Sequence, residues 1–452
     1  MNDEARSVLP RGVRRTVRRQ RRVGAGAVLI AAASALTAAC GSGSIHRTSP
    51  ATPQPPGVRV QARLGGAVQL EADHAPAAKR DAGATAGVVH AEQALTLRLL
   101  DKVGAKGNAS LSPLSLYLAL GMLRNGAAGT TEKQIATALQ AGDLPIATQN
   151  AGLSELMTEL RQSAAKDAIS LDSANSIWTQ RGFKVRTQFL ADLATYYKTG
   201  LWQVDFRTPA GAEAIDTWTA QQTRGKITKL FDELPRDTLL VLANAIYFHA
   251  AWMTPFDPDR TEPGGFTTGD GAQVTTKFMS GRAGLQTKIT GDYEAVQLPY
   301  RGGRFVALAV MPKHGPLNDF VAGLSPDGLR QLTAGMSTGS APVSLPRFTT
   351  TSTSPLESTL RVLGMTQVFT DSADLSKLSD TRTKVDQIVQ RVYLGVGEKG
   401  TTAAAATGVS LRPTSAVAGP DVRLDHPFLF LVRDTQTGAV LFASKITNPA
   451  AG

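Results

Sequence analysis

Apolar residues recur periodically from Val88 to the C-terminus with no second break in the pattern, which predicts one large domain over residues 88–452. Several helices announce themselves. Ser112-Pro113 places a capping residue ahead of a proline at the first helical position and leads into Leu114–Leu123. Thr131-Glu132-Lys133-Gln134 forms a capping box before Ile135 and Leu139, and Ser354-Pro355-Leu356-Glu357 forms another, with Gly364 as the stop. Strand character marks Leu239–Phe248, Arg304–Met311, Val343–Phe348, Val385–Val396, Phe428–Val432 and Val440–Ile446. Leu239–Phe248 and Phe428–Val432 are apolar on both faces, as expected of strands covered on both sides. Helices dominate the N-terminal half and strands the C-terminal half. The expected class is therefore α+β with large sheets, not regular βαβ alternation.

Ahead of the periodic region the chain changes character. Residues 41–87 are rich in Ala, Gly, Pro, Ser and Thr, with Pro50, Pro53, Pro55 and Pro56 close together, so residues 40–87 are expected to form a flexible tether. Before that, Arg14-Arg15-Thr16-Val17-Arg18-Arg19-Gln20-Arg21-Arg22 is followed by a small-apolar run from Val23 to Ala39, which reads as a secretory signal over residues 1–39. Cys40 is the only cysteine among 452 residues, so no internal disulfide is possible. Leu36-Thr37-Ala38-Ala39-Cys40-Gly41-Ser42 resembles a bacterial lipobox, although Thr37 stands where the leucine is usual. That resemblance implies lipidation of Cys40 and a protein anchored outside the cell membrane, the alternative being an ordinary signal and secretion.

Charge supports the same division. The chain carries +11, and residues 1–40 hold eight arginines against Asp3 and Glu4, a surplus of six. The remaining +5 is spread over more than 400 residues without a dense basic run, which argues against a nucleic-acid partner. At 42% hydrophobic and 19% charged, wholesale disorder is ruled out.

Catalytic signatures are sparse. There is no Gly-x-Ser-x-Gly elbow, no His-Glu-x-x-His and no phosphate loop, since Gly225-Lys226 is followed by Ile227 and lacks the upstream glycine. A single cysteine in the signal region excludes thiol catalysis and cysteine-ligated metal from the folded part. No catalytic residue, metal or cofactor is expected, and the chain does not read as an enzyme. A triad assembled from distant positions would escape this search; reaction with a fluorophosphonate probe would reveal it.

The informative segment is residues 398–419, a long run of small residues between a strand-like lead-in and an apolar strand pair. Loops of this length inside a domain are uncommon and often functional. Glu398-Lys399-Gly400-Thr401-Thr402-Ala403-Ala404-Ala405-Ala406-Thr407 resembles the reactive-loop hinge of inhibitory serpins. The likeness extends along the chain through Asn108–Thr131, Ala174-Asn175-Ser176-Ile177-Trp178 and Val204-Asp205-Phe206. It continues through Asn244-Ala-Ile-Tyr-Phe-His-Ala-Ala-Trp252-Met-Thr-Pro-Phe256, Leu298-Pro-Tyr300 and Leu345-Pro-Arg-Phe348. His426-Pro-Phe-Leu-Phe430 and Leu441-Phe-Ala-Ser-Lys-Ile-Thr-Asn-Pro449 complete the set.

The resemblance implies a metastable fold of three sheets and about nine helices with an exposed bait loop. A serine protease attacks the loop and forms an acyl-enzyme, and the cut loop then inserts into the central sheet as an extra strand, trapping the protease. The residues suit that motion. Alternate positions Thr401, Ala403, Ala405, Thr407, Val409 and Leu411 are small or apolar and none is charged. Thr401 to Thr414 would span roughly 46 Å at about 3.3 Å per residue. A dozen or so new ladder hydrogen bonds at about 1 kcal/mol each would drive the insertion. Gly400 lets the hinge bend where a side chain would resist.

Family spacing puts the cleaved bond at Thr414–Ser415, with Ala416–Val417 and Leu411–Arg412 as alternatives. Pro413 after Arg412 blocks trypsin-like cleavage there, so small residues point to an elastase-like or subtilisin-like target. By the same resemblance Ser112, Ser115 and Asn244 belong to a polar cluster where the sheet opens, with Gln390 in place of the family's usual histidine, and Trp252 lies at the top of the sheet. The implied function is irreversible inhibition of a serine protease by a monomer, with a non-inhibitory binding or scaffold protein as the alternative.

Overall fold

The computed structural model describes residues 57–73, 81–104, 107–281, 285–339, 342–401 and 422–451. Nine α-helices and three sheets are found among these residues, which is the α+β architecture that the periodicity and the resemblance led us to expect. Six helices, from Ala82–Lys102 to Ala210–Gln222, fall in the first half. The expected strands appear with modest changes of boundary: Leu240–Ala251, Phe305–Pro312, Gln387–Gly397, Phe428–Asp434 and Val440–Ile446. Val343–Phe348 divides into Val343–Pro346 and Phe348–Pro355, in different sheets.

The three helix starts expected from capping signals depart from local capping rules. Pro113–Gly126 begins at its proline, but the Ser112 hydroxyl makes no capping bond. It donates to the Leu441 carbonyl at 2.7 Å, so a tertiary partner has outcompeted the local one. The helix expected at Thr131 spans Gly129–Ala138, and Thr131 Oγ1 accepts from the Asp374 backbone N–H at 2.9 Å. Ser354 and Pro355 end a strand, and the short helix Glu357–Val362 follows Leu356 without a side-chain cap. Gly364, at φ +98°, does follow that helix, in a backbone conformation that a side chain would resist.

The folded part also starts earlier than expected, and the tether assigned to residues 40–87 must be corrected. Val58–Leu64 and Ala67–Ala72 form an antiparallel hairpin around Gly65-Gly66, both at positive φ. Helix Ala82–Lys102 begins before Val88, capped by Asp81, whose side chain accepts from Gly83 and Ala84. The hairpin signal was present in the chain. Val58, Val60, Ala62 and Leu64 alternate with polar residues up to a Gly-Gly turn. The surrounding small-residue composition masked it.

The hairpin extends the central sheet. Its eight strands lie in the order Val58–Leu64, Ala67–Ala72, Leu201–Val204, Ser170–Gln180, Leu240–Ala251, Gly400–Thr401, Gln387–Gly397 and Phe348–Pro355. Leu240–Ala251 is buried on both faces. Leu242, Ile246, Phe248 and Ala250 join the main core with Leu116 and Leu120 of helix Pro113–Gly126. Val241, Ala243 and Ala245 pack with Trp178 and with Ile215 and Trp218 of helix Ala210–Gln222. A seven-stranded sheet built around Phe305–Pro312, Phe428–Asp434 and Val440–Ile446 supplies Phe305, Phe430 and Phe442 to the same main core. A four-stranded sheet ends at Val422–Arg423, shortly after the 398–419 segment that resembles a reactive loop in sequence.

Candidate functional site: a hinge seated in a forked sheet

The central sheet forks. Strands Leu240–Ala251 and Gln387–Gly397 pair directly and in parallel from Val241–Gln387 to Ile246–Val392. Above that point they separate, and Gly400–Thr401 lies between them. Thr401 stands opposite Val396 on one side and Ala250 on the other, while Gly400 faces Gly397 and Ala251. Gly400 has φ +151°, and a Cβ there would stand 2.0 Å from the Ala250 carbonyl oxygen. Only glycine fits the approach. Its role is thus tighter than the bending freedom inferred from the sequence.

Thr401 is fully buried, and its Oγ1 lies 2.5 Å from the Tyr300 hydroxyl. Burial pushes the Tyr300 pKa far up, so this hydroxyl stays protonated. Trp252 stacks on Tyr300 with ring centroids 4.5 Å apart and 13° between planes. Its indole N–H donates to the Gly397 carbonyl at 2.9 Å, and its backbone N–H to Lys399 at 3.0 Å. Glu398 accepts from Thr261 Oγ1 at 3.0 Å, with Arg347 at 3.5 Å, and its carbonyl receives the Phe256 N–H. The strand turn leading to the loop is therefore held by side chains from three directions.

Lower down, where the two strands begin to pair, Ser112, Ser115, Asn244 and Gln390 meet. Gln390 Oε1 accepts from the Ser112 backbone N–H at 3.0 Å, while its amide donates to the Ser112 carbonyl at 2.9 Å and to Asn244 Oδ1 at 2.6 Å. Asn244 in turn donates to Ser115 Oγ at 2.6 Å and to Asn175 Oδ1. The cluster ties helix Pro113–Gly126 to three sheet strands at the point where the fork closes. Asn244 and Gln390 each use the donor and acceptor ends of their amides at once, and none of these groups titrates near neutral pH.

Sequence reasoning missed two members. Asn175 was noted only as part of a family motif, although it lies directly opposite Asn244. Tyr300 was noted in Leu298-Pro-Tyr300, but its contact with Thr401 spans 101 positions and has no local signal. Thr402, Ala403, Ala404, Ala405, Ala406, Thr407, Thr414 and Ser415, together with Cys40, lie outside the described residues. No group of residues that could hold a metal ion is found among the described residues.

Comparison with known proteins accords with this geometry. Residues 90–449 match the family model described as serpin, serine protease inhibitor. An alpha-1-antitrypsin homolog of Cyprinus carpio is 33% identical over 71% of this chain and 86% of its own length. The native-state structure of the thermophilic serpin tengpin superposes with a TM-score of 0.76 at 26% identity, covering 84% of this chain and 97% of tengpin. A complex of thyroxine-binding globulin with thyroxine superposes at 0.73 with 27% identity, over 81% and 99% of the two chains. The chain belongs to the serpin family. That membership corrects the expectation of a chain outside enzyme chemistry: serpins are protease inhibitors that act as suicide substrates, so they enter a protease's covalent reaction, and the flat reading of no enzyme does not describe them.

Proposed function

We propose that this chain is an inhibitory serpin that traps a serine protease by inserting its cleaved loop into the central sheet. The observation that carries the reading is the seated hinge, with Thr401 already hydrogen-bonded between strands that are still paired below. The register supports it further. Asn244 lies six positions below Ala250, so a strand continuing from Thr401 would bring Thr407 to Asn244 and Gln390. Leu240, ten positions below Ala250, would meet Leu411. Every residue on the inward face of that strand is uncharged. Insertion then replaces the parallel pairing from Val241 to Ile246 with two antiparallel ladders.

The target is an elastase-like or subtilisin-like protease, the bait bond is Thr414–Ser415, and the inhibitor acts as a monomer. Cys40 carries a lipid that holds the protein on the outer face of a bacterial membrane. The test is denaturing electrophoresis with intact mass after mixing the protein with elastase-like, subtilisin-like and trypsin-like proteases. A band at the summed mass that survives boiling in detergent is expected, with a released peptide beginning at Ser415. A peptide starting at Val417 or Arg412 would move the bond. Clean cleavage with undiminished protease activity would replace inhibition with a binding or scaffold role. Metabolic labelling with a tagged fatty acid should mark the wild type and spare Cys40→Ser.

A further inference from the structure

The pairing of the two fork strands does not end at Val241–Gln387. Just below, the Asp386 backbone N–H donates to the Leu240 carbonyl at 2.9 Å. Its side chain then turns back across the gap, and Oδ2 accepts from the Leu240 N–H at 3.0 Å and from the Leu239 N–H at 2.7 Å. On the opposite edge, the Leu239 carbonyl receives the Gln180 N–H of strand Ser170–Gln180 at 3.0 Å. Both backbone groups of Leu240 are thus held by one residue, and Leu240 itself is fully buried. A carboxylate that accepts two backbone N–H groups makes charge-assisted bonds, stronger than the neutral rungs above it. The neighbouring cation Lys384 gives its Nζ to Asp371 at 2.7 Å instead.

The register gives this contact a place in the sequence of events. Thr401 stands opposite Ala250 and Val396, at the top of the slot. Leu240 lies ten positions below Ala250 and Asp386 ten positions below Val396, so the two flank the same rung. A strand that continues from Thr401 passes Asn244 and Gln390 first and comes to Leu240 and Asp386 last. There it needs the N–H and carbonyl that Asp386 already occupies, because a strand entering between two others takes the inward-facing backbone groups of both.

We propose that Asp386 is a positioning residue that clips the foot of the fork, and that full insertion of the cut loop requires its carboxylate to release Leu239 and Leu240. The proposal rests on the inhibitory reading of this chain and adds a step to it. The strands can part as far down as Asn244 and Gln390 with the clip shut, and only the last rungs wait for it. Before cleavage the contact keeps the lower sheet closed. After cleavage it sets how soon the new strand is complete, and hence how much acyl-enzyme water removes first.

The test uses the full, uncleaved chain and two synthetic peptides, Thr402–Thr407 and Thr402–Leu411, offered as the inserting strand. Joining is read by native electrophoresis with a fluorescent label on the peptide. The longer peptide should join Asp386→Ala about tenfold faster than wild type, the effect of roughly one charge-assisted hydrogen bond. Asp386→Asn, which keeps a neutral acceptor, should fall between them. Asp386 is half-buried, so both variants should fold. The shorter peptide ends level with Asn244 and Gln390, and should join all three proteins at one rate. Equal acceleration of both peptides would reduce Asp386 to a general stabiliser and overturn the proposal, as would a longer peptide that joins Asp386→Ala no faster or not at all. Amide exchange at Leu239 and Leu240 should quicken in Asp386→Ala, and unchanged exchange there would overturn it as well. Neither readout involves a protease, so failure of the inhibitory reading, seen as clean cleavage without a stable complex, is told apart from failure of the clip.

Discussion

At the scale of single residues, the hinge depends on one missing side chain and one hydroxyl pair. Gly400→Ala places a methyl 2.0 Å from the Ala250 carbonyl at φ +151°, so Gly400–Thr401 must leave its slot. A loss of roughly 2 kcal/mol is expected in urea unfolding, with faster amide exchange at Trp252 and Phe256, whose N–H groups donate to Lys399 and Glu398. The Tyr300–Thr401 pair can be isolated by a double-mutant cycle of Tyr300→Phe and Thr401→Val. A coupling of about 1 kcal/mol is expected for a buried neutral hydrogen bond. A coupling near zero would mean that the two hydroxyls are neighbours without a shared bond. Gly400 was legible from the chain as a hinge; the hydroxyl pair was not, because nothing in the spacing of Tyr300 and Thr401 connects them.

Among the elements, the polar cluster at the fork bonds the two central strands to each other and to the start of helix Pro113–Gly126. Gln390→Leu keeps the volume and removes three hydrogen bonds at once, leaving the Ser112 backbone N–H and carbonyl and Asn244 Oδ1 without that partner. A loss of roughly 3 kcal/mol is expected by denaturant unfolding, at about 1 kcal/mol for each bond. If stability changes by less than a third of that, water or neighbouring side chains satisfy the freed groups and the cluster is not a lock. The family resemblance brought Ser112, Ser115, Asn244 and Gln390 to attention together, although they lie far apart in the chain. Their bonding pattern, and the recruitment of Ser112 away from its helix, became visible only when the helix met the sheet. The hairpin shows the opposite case, since its alternation and Gly-Gly turn were plain in the residues and were outweighed by composition.

The whole molecule carries a pH dependence far from the hinge. Glu92 of helix Ala82–Lys102 is fully buried, accepting from the Val440 N–H at 3.1 Å and from Thr96 Oγ1 at 3.0 Å. Burial raises its pKa from 4.5 to about 8, opposed only in part by these bonds. The folded state therefore holds a proton that the unfolded chain releases above 4.5. The stability contributed by this group is fully present below about pH 4.5 and is lost as the pH rises through about 8. Wild type should lose several degrees of melting temperature relative to Glu92→Gln between pH 5 and pH 8.5. Parallel curves across that window would show that the carboxyl is not neutral in the folded protein.

The chain by itself determined the class of fold and most of the strand positions, because apolar periodicity reports which faces are buried whatever covers them. It also determined that the segment after Glu398 is fit to become a strand, since small uncharged residues at alternate positions are a local property. The tertiary structure decided that Ser112 serves the sheet instead of capping its helix, and how far the hinge is already seated. Those outcomes depend on partners 100 or more positions away, where the free energy of a buried hydrogen bond or a close backbone approach outweighs the local preference that sequence patterns record.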